Sequence, residues 1–374
     1  MIDIAGLVRP DLQKLVGYTP IVPLDVLSRR LGIPVERLVK LDANENPYGP
    51  SPRVLEALAH EQPYAIYPDP DQTVLRAALS EYTGQPVERL ICGNGSDELI
   101  DLLMRLCLSP GDAVVESPPT FGMYSFNTAV VGGRSIGVPR HADWTLDVDA
   151  LIAAVEREQA KLVFLPSPNN PDGSVVERSD IMRLLALPAL LVIDEAYAEF
   201  AGVSVIDLVG QHPNLVVLRT FSKWAGLAGL RLGYGAMDER IVRYLLQIKP
   251  PYNINVAAQA AVLASLADRS SLMDKVALLI AERERLYAAL CERPACKPLP
   301  SRANFVLFHL GPQAGAIKRA LEQEGVLVRY YSKPGLNEYL RVTVGTPEQN
   351  LRFLDALDAS LLDIQHEEMR HELA

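Results

Sequence analysis

Between Asp97 and Leu266 the chain alternates amphipathic helical patterns with short runs that are apolar at every position, and few folds can bury such a pattern. Asp97 to Leu108 carries Leu99, Ile100, Leu102, Leu103 and Leu106 at helical spacing, and Pro110-Gly111-Asp112 then turns the chain into Ala113-Val114-Val115. Comparable runs at Leu162 to Leu165, Ala189 to Ile193 and Leu215 to Leu218 are each bounded by polar or turn residues. A strand that is apolar on both faces has to be covered on both, which predicts an α/β fold with a mostly parallel sheet and helices on either side. Ligands of such sheets bind beyond the carboxyl ends of the strands, so Pro166 to Pro171, Asp194 to Tyr197 and Arg219 to Lys223 are the informative stretches.

A second rhythm starts near Asp268. Leu272, Val276, Leu279, Ile280, Leu286, Tyr287 and Leu290 predict a long helix, and a strand follows over Asn304 to Leu310. A helix over Ala314 to Glu324 and two β-rich runs at Val326 to Tyr331 and Tyr339 to Val344 complete a smaller α+β domain. A length of 374 residues suits two or three domains. The opening segment, punctuated by Pro10, Pro20, Pro23 and Pro34, has little to bury alone and is expected to pack on the rest of the molecule or on a partner subunit.

A net charge of −10 opposes the basic footprint that nucleic acid or an anionic membrane requires, so an anionic substrate would depend on a few local cations. The four cysteines, Cys92, Cys107, Cys291 and Cys296, have neither metal-ligand spacing nor the density of a disulfide framework. No stretch reaches about 18 uninterrupted apolar residues. Together these predict a soluble, cytoplasmic protein with no metal site.

Gly93-Asn94-Gly95-Ser96-Asp97-Glu98 follows Leu90-Ile91 and opens a helix, so free N–H groups and the helix dipole can face an anion there. A dinucleotide fingerprint would need glycine at position 98, which is Glu98. Leu190 to Ile193 followed by Asp194-Glu195 also resembles the magnesium strand of a P-loop NTPase, but no Gly-Lys dipeptide occurs to complete one. Lys223, in Thr220-Phe221-Ser222-Lys223-Trp224-Ala225-Gly226, stands in an apolar, glycine-rich setting that favours a neutral, nucleophilic amine able to form a Schiff base. With a phosphate cradle, an acid after a neighbouring strand and Arg231 eight residues on, it meets the needs of pyridoxal phosphate.

These motifs, with Leu41-Asp42-Ala43-Asn44-Glu45-Asn46-Pro47-Tyr48-Gly49-Pro50 and Leu340-Arg341-Val342-Thr343-Val344-Gly345, resemble the fold-type-I pyridoxal-phosphate-dependent aminotransferases, and within them the histidinol-phosphate aminotransferase family. The resemblance implies that Lys223 is the cofactor lysine and proton shuttle, that Asp194 keeps the pyridine nitrogen protonated, and that Asn170 and Tyr197 donate to its 3-hydroxyl oxygen. It implies that Tyr124 stacks on the pyridine face and that Gly95, Ser96, Asp97, Ser222 and Arg231 form the phosphate cup. Tyr67 would reach the phosphate of the opposite subunit in a homodimer, and Tyr18, Arg329 and Arg341 would contact substrate. The expected division is an amino-terminal arm over 1–29, a large cofactor domain over 53–266 and a small domain from 30–52 and 267–374.

The implied reaction interconverts L-histidinol phosphate and 2-oxoglutarate with imidazole-acetol phosphate and L-glutamate, a step of histidine biosynthesis. The chain departs from the family pattern at Tyr330-Tyr331, where an acidic and a basic residue are commoner, and these rings could line a pocket for aromatic amino acids. An aromatic aminotransferase is therefore the alternative. A phosphoamino-acid decarboxylase would release carbon dioxide, and a regulator of this fold would need a basic DNA-binding module that the chain lacks.

Overall fold

Leu162, Val163, Phe164 and Leu165 are all buried, as are Leu215 to Leu218, so residues pointing to opposite faces of the sheet are equally excluded from water. The computed structural model describes residues 4–17, 20–60 and 62–372, with side chains described as far as residue 363. In chain order its strands are β1 (Val39–Leu41), β2 (Leu90–Gly93), β3 (Ala113–Glu116), β4 (Arg134–Gly137), β5 (Leu162–Pro166) and β6 (Leu190–Asp194). They continue as β7 (Leu215–Thr220), β8 (Gly233–Ala236), β9 (Lys297–Pro298), β10 (Phe305–His309), β11 (Val326–Tyr330) and β12 (Tyr339–Thr343).

Two compact units result. One holds residues 4–17, Gly49–Asn170 and Ser174–Leu272; the other holds Pro20–Tyr48, Pro171–Gly173 and 273–372. The first contains a seven-stranded sheet in the order β2-β8-β7-β6-β5-β3-β4, parallel from β7 to β4, with β8 antiparallel to both its neighbours. One face packs its Val114, Phe164, Val192, Val216 and Leu218 against the helix Gly95–Cys107 and its neighbours through Leu99, Leu103 and Met104. The opposite residues, among them Val163, Ile193 and Val217, are buried as well.

The predicted parallel runs all become strands, each ending within two residues of its expected end. Two strands escape a periodicity argument. β4 is mostly exposed and polar, because it is the sheet's outer edge. β8 reads Gly-Tyr-Gly-Ala, which resembles a loop, yet it is buried throughout. Its first glycine is required by close approach: a Cβ on Gly233 would lie 2.5 Å from the backbone nitrogen of Ser96.

The second unit carries a five-stranded sheet in the order β1-β11-β12-β10-β9, antiparallel except for the β1–β11 pair. The predicted long helix is present as Arg269–Cys291, and the second unit also carries the helix Pro347–Glu372. Among the described residues no helix is long and apolar enough to cross a membrane.

Burial on both faces of β7 has a direct consequence. Val216→Thr and Val217→Thr, on opposite faces, should each cost about 1–3 kcal/mol of stability in urea unfolding, because either hydroxyl enters a dry layer. A sheet with one wet face would be sensitive to only one of them.

Candidate functional site

Three adjacent parallel strands of the first unit finish at one edge. Asp194, the last residue of β6, pairs in register with Pro166 at the end of β5, and Leu218 of β7 lies opposite Asp194 on the other side. Strands in a sheet sit about 5 Å apart, so the residues beyond each end are drawn together. Asn170 follows β5, Tyr197 follows β6, and Ser222 and Lys223 follow β7. Lys223 Nζ lies 5.9 Å from the centroid of the Tyr197 ring. The chain leaves β3 outward to β4 but leaves β5 inward to β6, which opens a crevice between β3 and β5. There the Thr120 hydroxyl donates to Asn169 Oδ1 at 2.9 Å, and Asn169 Nδ2 donates to the Pro119 carbonyl at 3.0 Å.

The Asp194 carboxylate is 4% exposed. Burial pushes its pKa up to about 6, against hydrogen bonds from the Tyr124 hydroxyl to Oδ2 at 2.9 Å and from the Ala196 amide to Oδ1 at 3.1 Å, which favour the charged form. Burial, and then the neighbouring carboxylate, hold the Tyr124 hydroxyl well above its usual range, so it remains a donor. Behind this pair Glu195 accepts from Arg219 Nε at 2.9 Å, from the Ser204 hydroxyl at 2.7 Å and from the Val205 amide at 2.7 Å. That buried ion pair ties the end of β7 to the segment following β6.

The helix Gly95–Cys107 begins beside these groups, and its first turn presents the amides of Ser96 and Asp97. The Gly95 amide is already used, donating to the Arg231 carbonyl at 3.0 Å. Arg231 returns with Nη1 donating to the Ser222 hydroxyl at 3.2 Å and Nη2 to Asp97 Oδ2 at 2.9 Å. Gly95 has φ +75° and a Cβ there would stand 2.6 Å from Arg231 Nη2, so glycine is what lets the guanidinium approach. First-turn amides, a hydroxyl and a guanidinium brought together suit a phosphate monoester. The Asp97 carboxylate would repel such an anion, so its part is to hold Arg231 and to offer its amide.

In the second unit Arg329 and Arg341 are directly opposite on the β11–β12 ladder. Like charges in that relation repel. Arg341 Nη2 donates to the Asp42 carbonyl at 2.9 Å, and its guanidinium lies 5.1 Å from the Phe305 ring. Tyr331 meets both cations, 5.4 Å from the Arg329 guanidinium and 5.9 Å from that of Arg341. Two braced cations thus stand side by side on this ladder.

One expectation changes. Tyr124 does not offer a ring face: it is fully buried, stacked on Phe164 at 5.0 Å, with its hydroxyl under Asp194. The less buried aromatic of this segment is Phe121, half-buried at the carboxyl edge of β3 and edge-on to Tyr124 at 5.6 Å. It stands three residues earlier, directly past Pro118-Pro119-Thr120. Tyr67 is 78% exposed and stacks on Tyr252 at 4.5 Å. Tyr18 lies outside the described residues. No group of three His, Cys, Asp or Glu able to hold a metal occurs among the described residues.

Residues 36–357 match the family Aminotransferase class I and II. This chain belongs to that family. It is 59% identical over 364 residues to a histidinol-phosphate aminotransferase of Roseiflexus castenholzii, covering 95% of this chain and 98% of the relative. It is 50% identical to a chloroplastic histidinol-phosphate aminotransferase of Nicotiana tabacum, covering 94% and 86% of the two chains. In three dimensions it is similar to the histidinol-phosphate aminotransferase of Sinorhizobium meliloti in complex with pyridoxal-5'-phosphate, with TM-score 0.87, 30% identity and coverage of 96% and 98%.

Asp194 also makes the aminotransferase's own stability depend on pH. Its folded pKa is raised, so the stability it contributes to the ligand-free chain is complete below about pH 4 and is lost as pH rises through about 6. Asp194→Asn should remove that decline and raise ligand-free stability at pH 7.5 by about 1–3 kcal/mol, read from urea midpoints across pH 4 to 8.

Proposed function

We propose that this aminotransferase uses pyridoxal phosphate to interconvert L-histidinol phosphate and 2-oxoglutarate with imidazole-acetol phosphate and L-glutamate, in histidine biosynthesis. The observation that carries this is the 59% identity to a histidinol-phosphate aminotransferase over 95% of the chain. The opposed pair Arg329 and Arg341 supports it physically, because both substrates need permanent planar cations: one ends in a phosphate, the other in two carboxylates.

When bound, pyridoxal phosphate supplies a carbonyl carbon that takes up the amino group and a protonated ring that withdraws electrons. Lys223 supplies, at Nζ, the amine that holds the cofactor and the base that takes the proton from the substrate's amine-bearing carbon. Asp194, whose negative charge burial makes costly, gains from a positive ring nitrogen beside it and keeps the proton there. Tyr124 holds Asp194 from behind, and Phe121 covers the ring face. Asn170 and Tyr197 would donate to the 3-hydroxyl oxygen. The amides of Ser96 and Asp97, the Ser222 hydroxyl and Arg231 would hold the phosphate, with Gly95 letting the guanidinium approach. Tyr18 is assigned to substrate contact on the sequence alone.

The active unit in this reading is a homodimer in which Tyr67 reaches the partner's cofactor phosphate. Its support is the exposure of Tyr67 next to exposed Tyr64 and Ile66. We place the enzyme in the cytoplasm, without nucleic-acid or membrane partners. The free state of Cys92, Cys107, Cys291 and Cys296 accords with a reducing compartment.

Single-turnover mixing of the yellow holoenzyme with L-histidinol phosphate should bleach its visible band rapidly, and L-phenylalanine should do so far more slowly. Comparable bleaching by phenylalanine would instead assign an aromatic aminotransferase. Lys223→Ala should cut turnover by at least about 10²–10⁴-fold. Mixing Lys223→Ala with Tyr67→Ala subunits should restore about a quarter of wild-type activity, since each hybrid dimer contains one intact site. No recovery would place Tyr67 in its own subunit's site.

A further inference from the structure

β2 is an edge strand of the seven-stranded sheet, and the turn that presents the phosphate cradle springs from its end. An edge leaves backbone groups without a strand to pair with. At Cys92 that role is taken by a side chain: the Cys92 amide donates to Gln72 Oε1 at 2.8 Å and the Cys92 carbonyl accepts from Gln72 Nε2 at 2.9 Å. The carboxamide thus pairs with a peptide unit as a neighbouring strand would. Gln72 is 2% exposed and holds φ +56°, a left-handed conformation that a glutamine rarely adopts, so its backbone is set to aim this side chain.

The chain of contacts continues into the cradle. Gln72 Nε2 also donates to Asn253 Oδ1 at 2.9 Å. Asn253 Nδ2 donates to the Cys92 carbonyl at 3.3 Å and to Glu98 Oε2 at 2.7 Å. The same Glu98 oxygen accepts the Asn94 amide at 2.6 Å, which fixes the residue that starts the helix Gly95–Cys107. Two carboxamides therefore grip both ends of the turn: Cys92 before it and, through Glu98, Asn94 within it. The grip also fastens the Glu98 carboxylate, so its charge stays bonded to Asn94 and Asn253.

We infer that Gln72 and Asn253 are positioning residues for the cofactor's phosphate, a clamp that sets the first-turn amides of Ser96 and Asp97 in place for it. This rests on reading that turn as the phosphate site. The clamp acts on the phosphate and leaves the lysine and the pyridine-nitrogen partner untouched. It should therefore govern how strongly pyridoxal phosphate is preferred over pyridoxal, which has the same ring and aldehyde and no phosphate.

The test measures dissociation constants of both compounds from the full-length chain stripped of cofactor, for wild type, Gln72→Met and Asn253→Leu. The wild type should bind pyridoxal phosphate at least about 100-fold more tightly than pyridoxal, given several charge-assisted hydrogen bonds to the phosphate. Each variant should lower that ratio tenfold or more while its constant for pyridoxal stays within about threefold of wild type. A merely structural role would weaken both compounds together and leave the ratio unchanged, and that result overturns the clamp. A wild-type ratio near one would instead overturn the phosphate reading of the turn, and the clamp with it. Gln72→Met alters a fully buried, strained position, so if it does not fold, Asn253→Leu at its half-buried site decides the question by the same ratio.

Discussion

The structure depends on carrying one carboxylate, that of Asp194, into the dry end of the central strand. An acid in that place costs free energy unless donors face it, and the sheet supplies two, the Tyr124 hydroxyl and the Ala196 amide. What remains of the cost is visible in its raised pKa. In the function proposed, that cost becomes a standing preference for a cation, here the protonated ring of the cofactor. Glu195 next to it points into a separate network in which Arg219 answers its charge, so adjacent acids are handled in opposite ways. One is answered by a cation inside the protein, and the other has only neutral donors.

The same logic appears in the second unit. Opposite cations on adjacent strands gain nothing for the fold, and Arg329 and Arg341 are tolerated because a carbonyl and aromatic faces spread their charge. Arg231 is instead answered by Asp97, with Ser222 and the Ala228 carbonyl sharing its donors. Arg231 is exposed and Arg329 half-buried, whereas Arg341 is buried.

Much of this was legible in the sequence, for identifiable reasons. Runs such as Leu215 to Leu218 carry their burial in their composition, so a doubly covered parallel sheet followed from periodicity. The placement of Lys223 and Asp194 followed from the rule that strand ends carry ligands. Tyr124 shows where such reading stops: which aromatic of Phe121 and Tyr124 turns inward depends on where Phe164, some forty residues later, offers a flat partner. β8 was illegible for the complementary reason, since its first glycine is dictated by how closely Ser96 approaches.

The sequence by itself determined the chemical inventory: one lysine, one acid and one arginine in a glycine-rich frame, with strands too apolar to face water. Those properties reside in residue types and short spacings. Only the tertiary structure decided that Gln72 completes the edge of β2, that Tyr124 supports Asp194 from below, and that Arg329 stands directly across from Arg341. Each joins residues from different segments of the chain, and a hydrogen bond or a ladder register is fixed by distances of a few tenths of an ångström that no local pattern encodes.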